Sequence, residues 1–309
     1  MNILHRKTFL STGILLLTIF SVFGKNPDQS VAISTNGSKF VAPLLTKWVA
    51  EYQKVHPGTV FNIVETSKTE DIALSVVVSQ TNEKALPDKS VTFAGRYALL
   101  PVSHPQNPLL TASKGLNKKE LKHLLFEKDI LDDSEPQKDK YKVNVYTPTA
   151  NQGSTSVVLA GFFDAEPTRI KGKKVYGDET VILRAVGRDP EGIAYSNLNY
   201  VFNLDTRQLK PELSLLPLNI KSKQKEKLYS ANVDQVISLL ENESIDLIPV
   251  TAFGFAVGNV HTPEVTAFVQ WVLTDGQQYI HELGFLQLDE NTLAAQQLQL
   301  KSGNYLSLK

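Results

Sequence analysis

Two short polar turns carry the residue types best suited to chemistry: "STNGSKF" (34–40) and "TANQGSTS" (149–156). Each places Gly beside hydroxyl residues just ahead of an apolar-periodic run that reads as a helix. The chemistry this suggests is anion binding. The first backbone N–H groups of a helix have no intrahelical partner and carry partial positive charge. Gly lets the backbone approach a ligand, and Ser or Thr can donate to a ligand oxygen or simply cap the helix. Capping is the commoner use, and either turn alone is compatible with no ligand at all. The second turn has no Arg, no Lys and no acid, so an anion or a neutral group there would rest on dipoles and hydroxyls. One turn in each half of the chain is the pattern of two helix starts facing across a cleft.

Other chemistries find little support. There is no G-x-S-x-G elbow, P-loop, G-x-G-x-x-G or H-E-x-x-H. His5, His56, His104, His123, His261 and His281 are scattered without ligand spacing, so neither a metal nor a cofactor is expected, and no nucleophile–base pair argues for an enzyme. The chain has no cysteine, which excludes disulfides, thiolate metal sites and a Cys nucleophile. Its 32 Lys and Arg balance 32 Asp and Glu, and no basic patch is interleaved with aromatics, so nucleic acid is not an expected partner.

The elements that would hold the turns alternate along the 309 residues. Residues 1–24 begin with Arg6 and Lys7, continue in an apolar run from Phe9 to Phe23 and end near small residues, the pattern of a secretory signal peptide. An uncleaved anchor is the alternative. Strand-like runs follow at 30–35, 59–66, 71–78, 91–109 (ending in a Pro-rich turn), 143–146, 212–220 and 246–257. Helix-like runs lie at 38–58 and 116–130, after the second turn within 145–163, and at 262–288, the last read as two amphipathic helices around Asp275-Gly276; 179–202 reads as a helix leading into a strand. The charged segments 134–142 and 221–229 read as solvated loops. Such alternation predicts an α/β fold with largely parallel sheets.

With the turns placed, the order of segments resembles the phosphate-binding periplasmic solute-binding proteins of ABC transporters. "NGSKFVAPLLTKWVAEYQKVHPG" resembles that family's first turn and helix, and "YALLPVSHPQNPL" its linker between lobes. "LNKKELKHLLF", "EGIAYSNLNYV" and "TPEVTAFVQWVLTDGQQYIHELGFLQL" resemble its later helix, strand and C-terminal helices. The fold implied is the type II periplasmic-binding-protein fold, α/β and two-lobed. Each lobe is a mixed, mostly parallel sheet flanked by helices, with the ligand cleft between them. Residues 25–104 plus 213–309 would form lobe I and 105–212 lobe II. Ligand contacts carried over are Ser38, Lys39 and Phe40 from the first turn and Gln152, Gly153, Ser154 and Thr155 from the second. The site departs from the family pattern. Pro148 and Ala150 stand where the family pairs Arg with Asp, and only "TSKTE" (66–70) replaces a helix between the second and third strands. Lys39 is then the cation expected to offset an anion's charge.

The resemblance implies a monomeric extracytoplasmic protein that binds a phosphate-like oxyanion for an ABC permease. The alternative is a binding fold that has lost transport and serves as an envelope scaffold or partner-binding module. If the signal reading holds, protein recovered from the cell envelope begins at Lys25, which intact-mass measurement checks. A chain retaining Met1 would instead be anchored.

Overall fold

The computed structural model describes residues 30–35, 38–65, 72–79, 91–128, 141–148, 155–175, 179–257 and 262–302. Its strands are β1 (Ser30–Ser34), β2 (Val60–Val64), β3 (Ile72–Val78), β4 (Val91–Ser103), β5 (Asn144–Pro148), β6 (Lys173–Val175), β7 (Gly192–Asn197), β8 (Phe202–Asn203), β9 (Gln208–Leu209), β10 (Ser214–Leu215) and β11 (Val250–Val257). Its helices are α1 (Ala42–Val55), α2 (Leu109–Ala112), α3 (Lys118–Leu125), α4 (Thr155–Phe162), α5 (Glu179–Val186), α6 (Leu198–Val201), α7 (Ser222–Leu228), α8 (Val233–Asn242), α9 (Pro263–Val272) and α10 (Glu290–Ser302).

Among the described residues, nine strands form one mixed sheet in the order β2-β1-β3-β11-β4-β7-β5-β6, with β10 also on β4. The outer parts are parallel: β1 with β2 and β3, and β5 with β6 and β7. The centre is antiparallel, where β11 pairs with β3 and β4, and β4 pairs with β7. β4 changes partner along its length. Residues up to Ala98 pair with β11, and Leu99–Ser103 pair with β7. It is buried on both faces, and so reads as a nearly continuous apolar run instead of an alternating one.

Local sequence explains the better-defined helices. α1 begins at Ala42-Pro43, buries Leu44, Leu45, Trp48, Val49 and Tyr52 on one stripe, and stops before Pro57-Gly58. Trp48 Nε1 donates to Gly276 O at 2.7 Å, fixing α1 to the C-terminal segment. α3 starts from a capping box: Glu120 N donates to Asn117 Oδ1 at 2.9 Å and Asn117 N to Glu120 Oε2 at 3.0 Å.

Several expectations are corrected. Residues 221–229, expected as a loop, contain helix α7. Its charges face solvent while Gln224 and Leu228, four residues apart, are buried. Gln224 Nε2 also donates to Glu243 Oε2 at 2.9 Å, tying α7 to the end of α8. The strand expected over 212–220 shrinks to β10 because only two residues there find a ladder partner. After Asp275-Gly276 the chain forms two tight 3-10 turns, Asp275–Tyr279 and His281–Leu283, in place of a second α-helix. They end at Gly284, whose φ of +75° suits a residue without a Cβ. α8 and α10 were not anticipated. The loop expected at 134–142 lies, up to residue 140, outside the described residues.

α8 is fixed to the C-terminal segment by Glu241, which accepts from His281 Nε2 and Gln287 N, each at 2.7 Å. Burial pushes the Glu241 carboxyl up, but these hydrogen bonds and the nearby charges of His281 and Arg96 outweigh it and hold the group below its ordinary 4.5. A depressed folded-state pKa contributes stability above the unfolded value and loses it as pH falls through the folded one. Urea unfolding should therefore show Glu241→Gln to be less stable than the parent near neutrality, with the gap narrowing as pH falls below about 4.5. The β4–β11 ladder offers a second test. A Cβ on Gly254 would lie 2.2 Å from Thr92 O and 2.6 Å from Phe93 Cα, both backbone atoms that cannot move aside. Gly254→Ala should cost stability at or above the upper end of the roughly 1–3 kcal/mol typical of overpacking, read by the same unfolding.

Candidate functional site

In a parallel sheet the helices that follow the strands begin at the strands' C-terminal ends, which is where open α/β folds bind ligands. β5, β6 and β7 run parallel here, and each leads into a helix: α4, α5 and α6 respectively. Glu179, the first residue of α5, joins these ends. Its Oε1 accepts from Thr155 Oγ1, on the first residue of α4, and its Oε2 accepts from Ser196 Oγ, near the end of β7, at 2.8 Å. Thr155 and Ser196 are 8% and 0% exposed, while Glu179 is half-buried. A carboxylate is favoured at this place because two helix N-termini present partial positive charge to it.

The neighbouring hydroxyls hold the β5–α4 connection. Ser156 Oγ donates to Pro148 O at 2.9 Å and lies 2.8 Å from Thr147 Oγ1. Ser156 is therefore structural, closing the turn from inside. Asn197, the last residue of β7, is 2% exposed, and its Oδ1 has no partner among the described residues.

The first turn approaches the same region from the other end of the sheet. Asn199 Nδ2, on α6, donates to Phe40 O at 3.2 Å, at the entry to α1. The Phe40 ring packs on Tyr97 of β4 at 4.5 Å between centroids and on Phe285 at 6.1 Å. The phenol of Tyr97 is pushed well above its ordinary range, first by burial and then by the negative charge of Glu179. The start of α1, the middle of β4, α6 and the Glu179 cluster thus form one contiguous patch of structure.

Each expected contact residue can now be located. Ser38 is 2% exposed and shapes the turn through its backbone, with its N donating to Thr35 O at 2.8 Å and its carbonyl accepting from Val41 N at 3.0 Å. Its side chain makes no cap bond. Lys39 is exposed and pairs with Glu65, just beyond β2, at 2.5 Å. Phe40 is buried: its ring packs on Tyr97 and Phe285, and its carbonyl accepts from Asn199 Nδ2. The hydroxyl of Thr155 is engaged by Glu179. Gln152, Gly153 and Ser154 lie outside the described residues.

Sequence reading missed Glu179, Ser196, Tyr97 and Asn199. An acid at the start of a helix is the ordinary complement to the helix dipole, so "GDETVILRAV" gives no hint that its carboxylate reaches two other elements. Among the described residues, no group of three or more His, Asp or Glu side chains could hold a metal ion, and no helix is long and apolar enough to cross a membrane.

No family model and no curated protein sequence matches the chain. Solved structures do match. A phosphate ABC transporter substrate-binding protein from Clostridium perfringens, with bound phosphate, is similar over 84% of this chain and 100% of its own, at 12% identity and a TM-score of 0.59. An ABC-type phosphate transport receptor from Vibrio cholerae is similar over 84% of this chain and 100% of its own, at 11% identity and a TM-score of 0.55. The effector binding domain of a BenM variant is similar over 84% of this chain and 98% of its own, at 16% identity and a TM-score of 0.50. At such identities the likeness is one of fold. Strand order, helix placement and these matches together make this a periplasmic-binding-protein-like α/β fold, the fold of solute-binding proteins and of effector-binding domains.

Proposed function

We propose that the protein is an extracytoplasmic solute-binding protein of the phosphate-receptor type. It holds an oxyanion, inorganic phosphate first, between lobe I (25–104 with 213–309) and lobe II (105–212) and delivers it to an ABC permease. The observation that carries this reading is the convergence of helix starts. α4 and α5 begin together at the C-terminal ends of parallel strands, and the turn into α1 meets the same patch through Asn199 and Phe40. Backbone N–H groups and hydroxyls at such ends suit an oxyanion. Contacts would come from Ser38, Lys39 and Phe40 on one side and Gln152, Gly153, Ser154 and Thr155 on the other. Lys39, paired with Glu65 at the rim, would supply the cation. Two of the structures sharing the fold are named for phosphate, and all three are binding proteins or domains, which supports a non-enzymatic role without a cofactor. The protein would act as a monomer, exported by its N-terminal signal.

One observation favours a second reading, a binding fold that has lost small-molecule transport and acts as an envelope scaffold or partner-binding module. Glu179 already takes the hydrogens of Thr155 and Ser196. Calorimetric titration of the purified protein with inorganic phosphate separates the two. The receptor reading expects saturable heat below millimolar phosphate, and Lys39→Ala weakening the affinity by about fivefold, the scale of one exposed charge-assisted contact. Silence at millimolar phosphate would leave the scaffold reading, and unchanged affinity in Lys39→Ala would remove Lys39 from the site.

A further inference from the structure

Glu179 changes the donor accounting of the cleft. A hydroxyl has one hydrogen to give. That of Thr155 goes to Glu179 Oε1 and that of Ser196 to Oε2. Ser196 sits on a central strand and is fully buried, and Thr155 opens α4 with 8% exposure, so these donors are fixed in place before any solute arrives. A carboxylate and a small oxyanion ask for the same things: hydroxyl hydrogens, backbone N–H groups and the positive ends of helices. Here a residue of the chain has met part of that demand.

We infer that Glu179 is a tethered competitor for the oxyanion and the residue that sets the affinity of the cleft. The inference rests on the solute-binding reading above. An incoming anion must either displace the Glu179 carboxylate from Thr155 and Ser196 or lie beside it as a like charge. Being part of the chain, the carboxylate competes at an effective concentration of millimolar or more. Like charges a few ångströms apart in a partly buried site add a penalty worth tenfold or more in affinity. The barrier is one of like charge, which phosphate and sulfate both carry, so removing it should help both.

The test compares the full protein with Glu179→Gln, which keeps the size but removes the charge and replaces one acceptor oxygen with an NH2 donor, and with Glu179→Ala, which removes the competitor outright. Each is titrated calorimetrically with inorganic phosphate and, separately, with sulfate, after circular dichroism has shown that it is folded. The expected result is a tenfold or greater tightening for both anions in Glu179→Gln, with tightening in Glu179→Ala as well. If Glu179→Gln does not fold, Glu179→Ala decides. Equal affinity in parent and variants overturns the inference and leaves the solute-binding reading intact. So does weakened phosphate binding in the variants, which would make Glu179 a direct partner of the solute. No heat from phosphate or sulfate in parent or variants overturns both.

Discussion

The antiparallel ladder along β4 is the constraint on which the rest of the molecule depends. This one strand pairs with β11 over its first part and with β7 over its last, so the two parallel outer parts of the sheet share a backbone instead of a flexible linker. The strand ends that carry the helix starts are thereby set in register. β7 brings Ser196 to Glu179, and β4 itself presents Tyr97 to Phe40. Few side chains could substitute within that ladder, because the strand is buried on both faces and Gly254 of β11 lies against its backbone.

Within that frame the candidate site is made chiefly of ordinary structural devices. Thr155 opens a helix, Ser156 closes the turn before it, and Asn199 fastens α6 to the entry of α1. What sets the site apart is where its charge sits. The cation of the first turn, Lys39, is at the exposed rim with Glu65, while the charge among the helix starts is the carboxylate of Glu179. A site meant to draw in an anion by net charge would show the opposite arrangement. Under the receptor reading, attraction would rest mainly on dipoles and hydroxyls, with Lys39 adding its charge from the rim.

Much of the fold was legible in the sequence because its strongest signals are periodic. The stripe Leu44, Leu45, Trp48, Val49 and Tyr52 and the stop at Pro57-Gly58 define α1 without any tertiary information. The nearly continuous apolar run of β4 and the Asn117 cap of α3 are as clear. α7 was misread for a physical reason. A helix that buries only Gln224 and Leu228 shows almost no apolar stripe, and its charges imitate a loop. Both turns were legible as helix starts, but their partners were not. Glu179 lies 24 residues beyond Thr155 and Asn199 lies 159 beyond Phe40, and nothing local in either segment records those contacts.

The shared strand also governs how the molecule comes apart. Two lobes joined by a slack linker can melt one after the other. Here, loss of the β11 ladder would strip β4 of half its pairing and expose residues that are buried from both sides, while β7 still held the other half. Neither half keeps a complete core without β4, so disorder in one half would reach the other through this strand, and the two-part sheet has a structural reason to lose its order together.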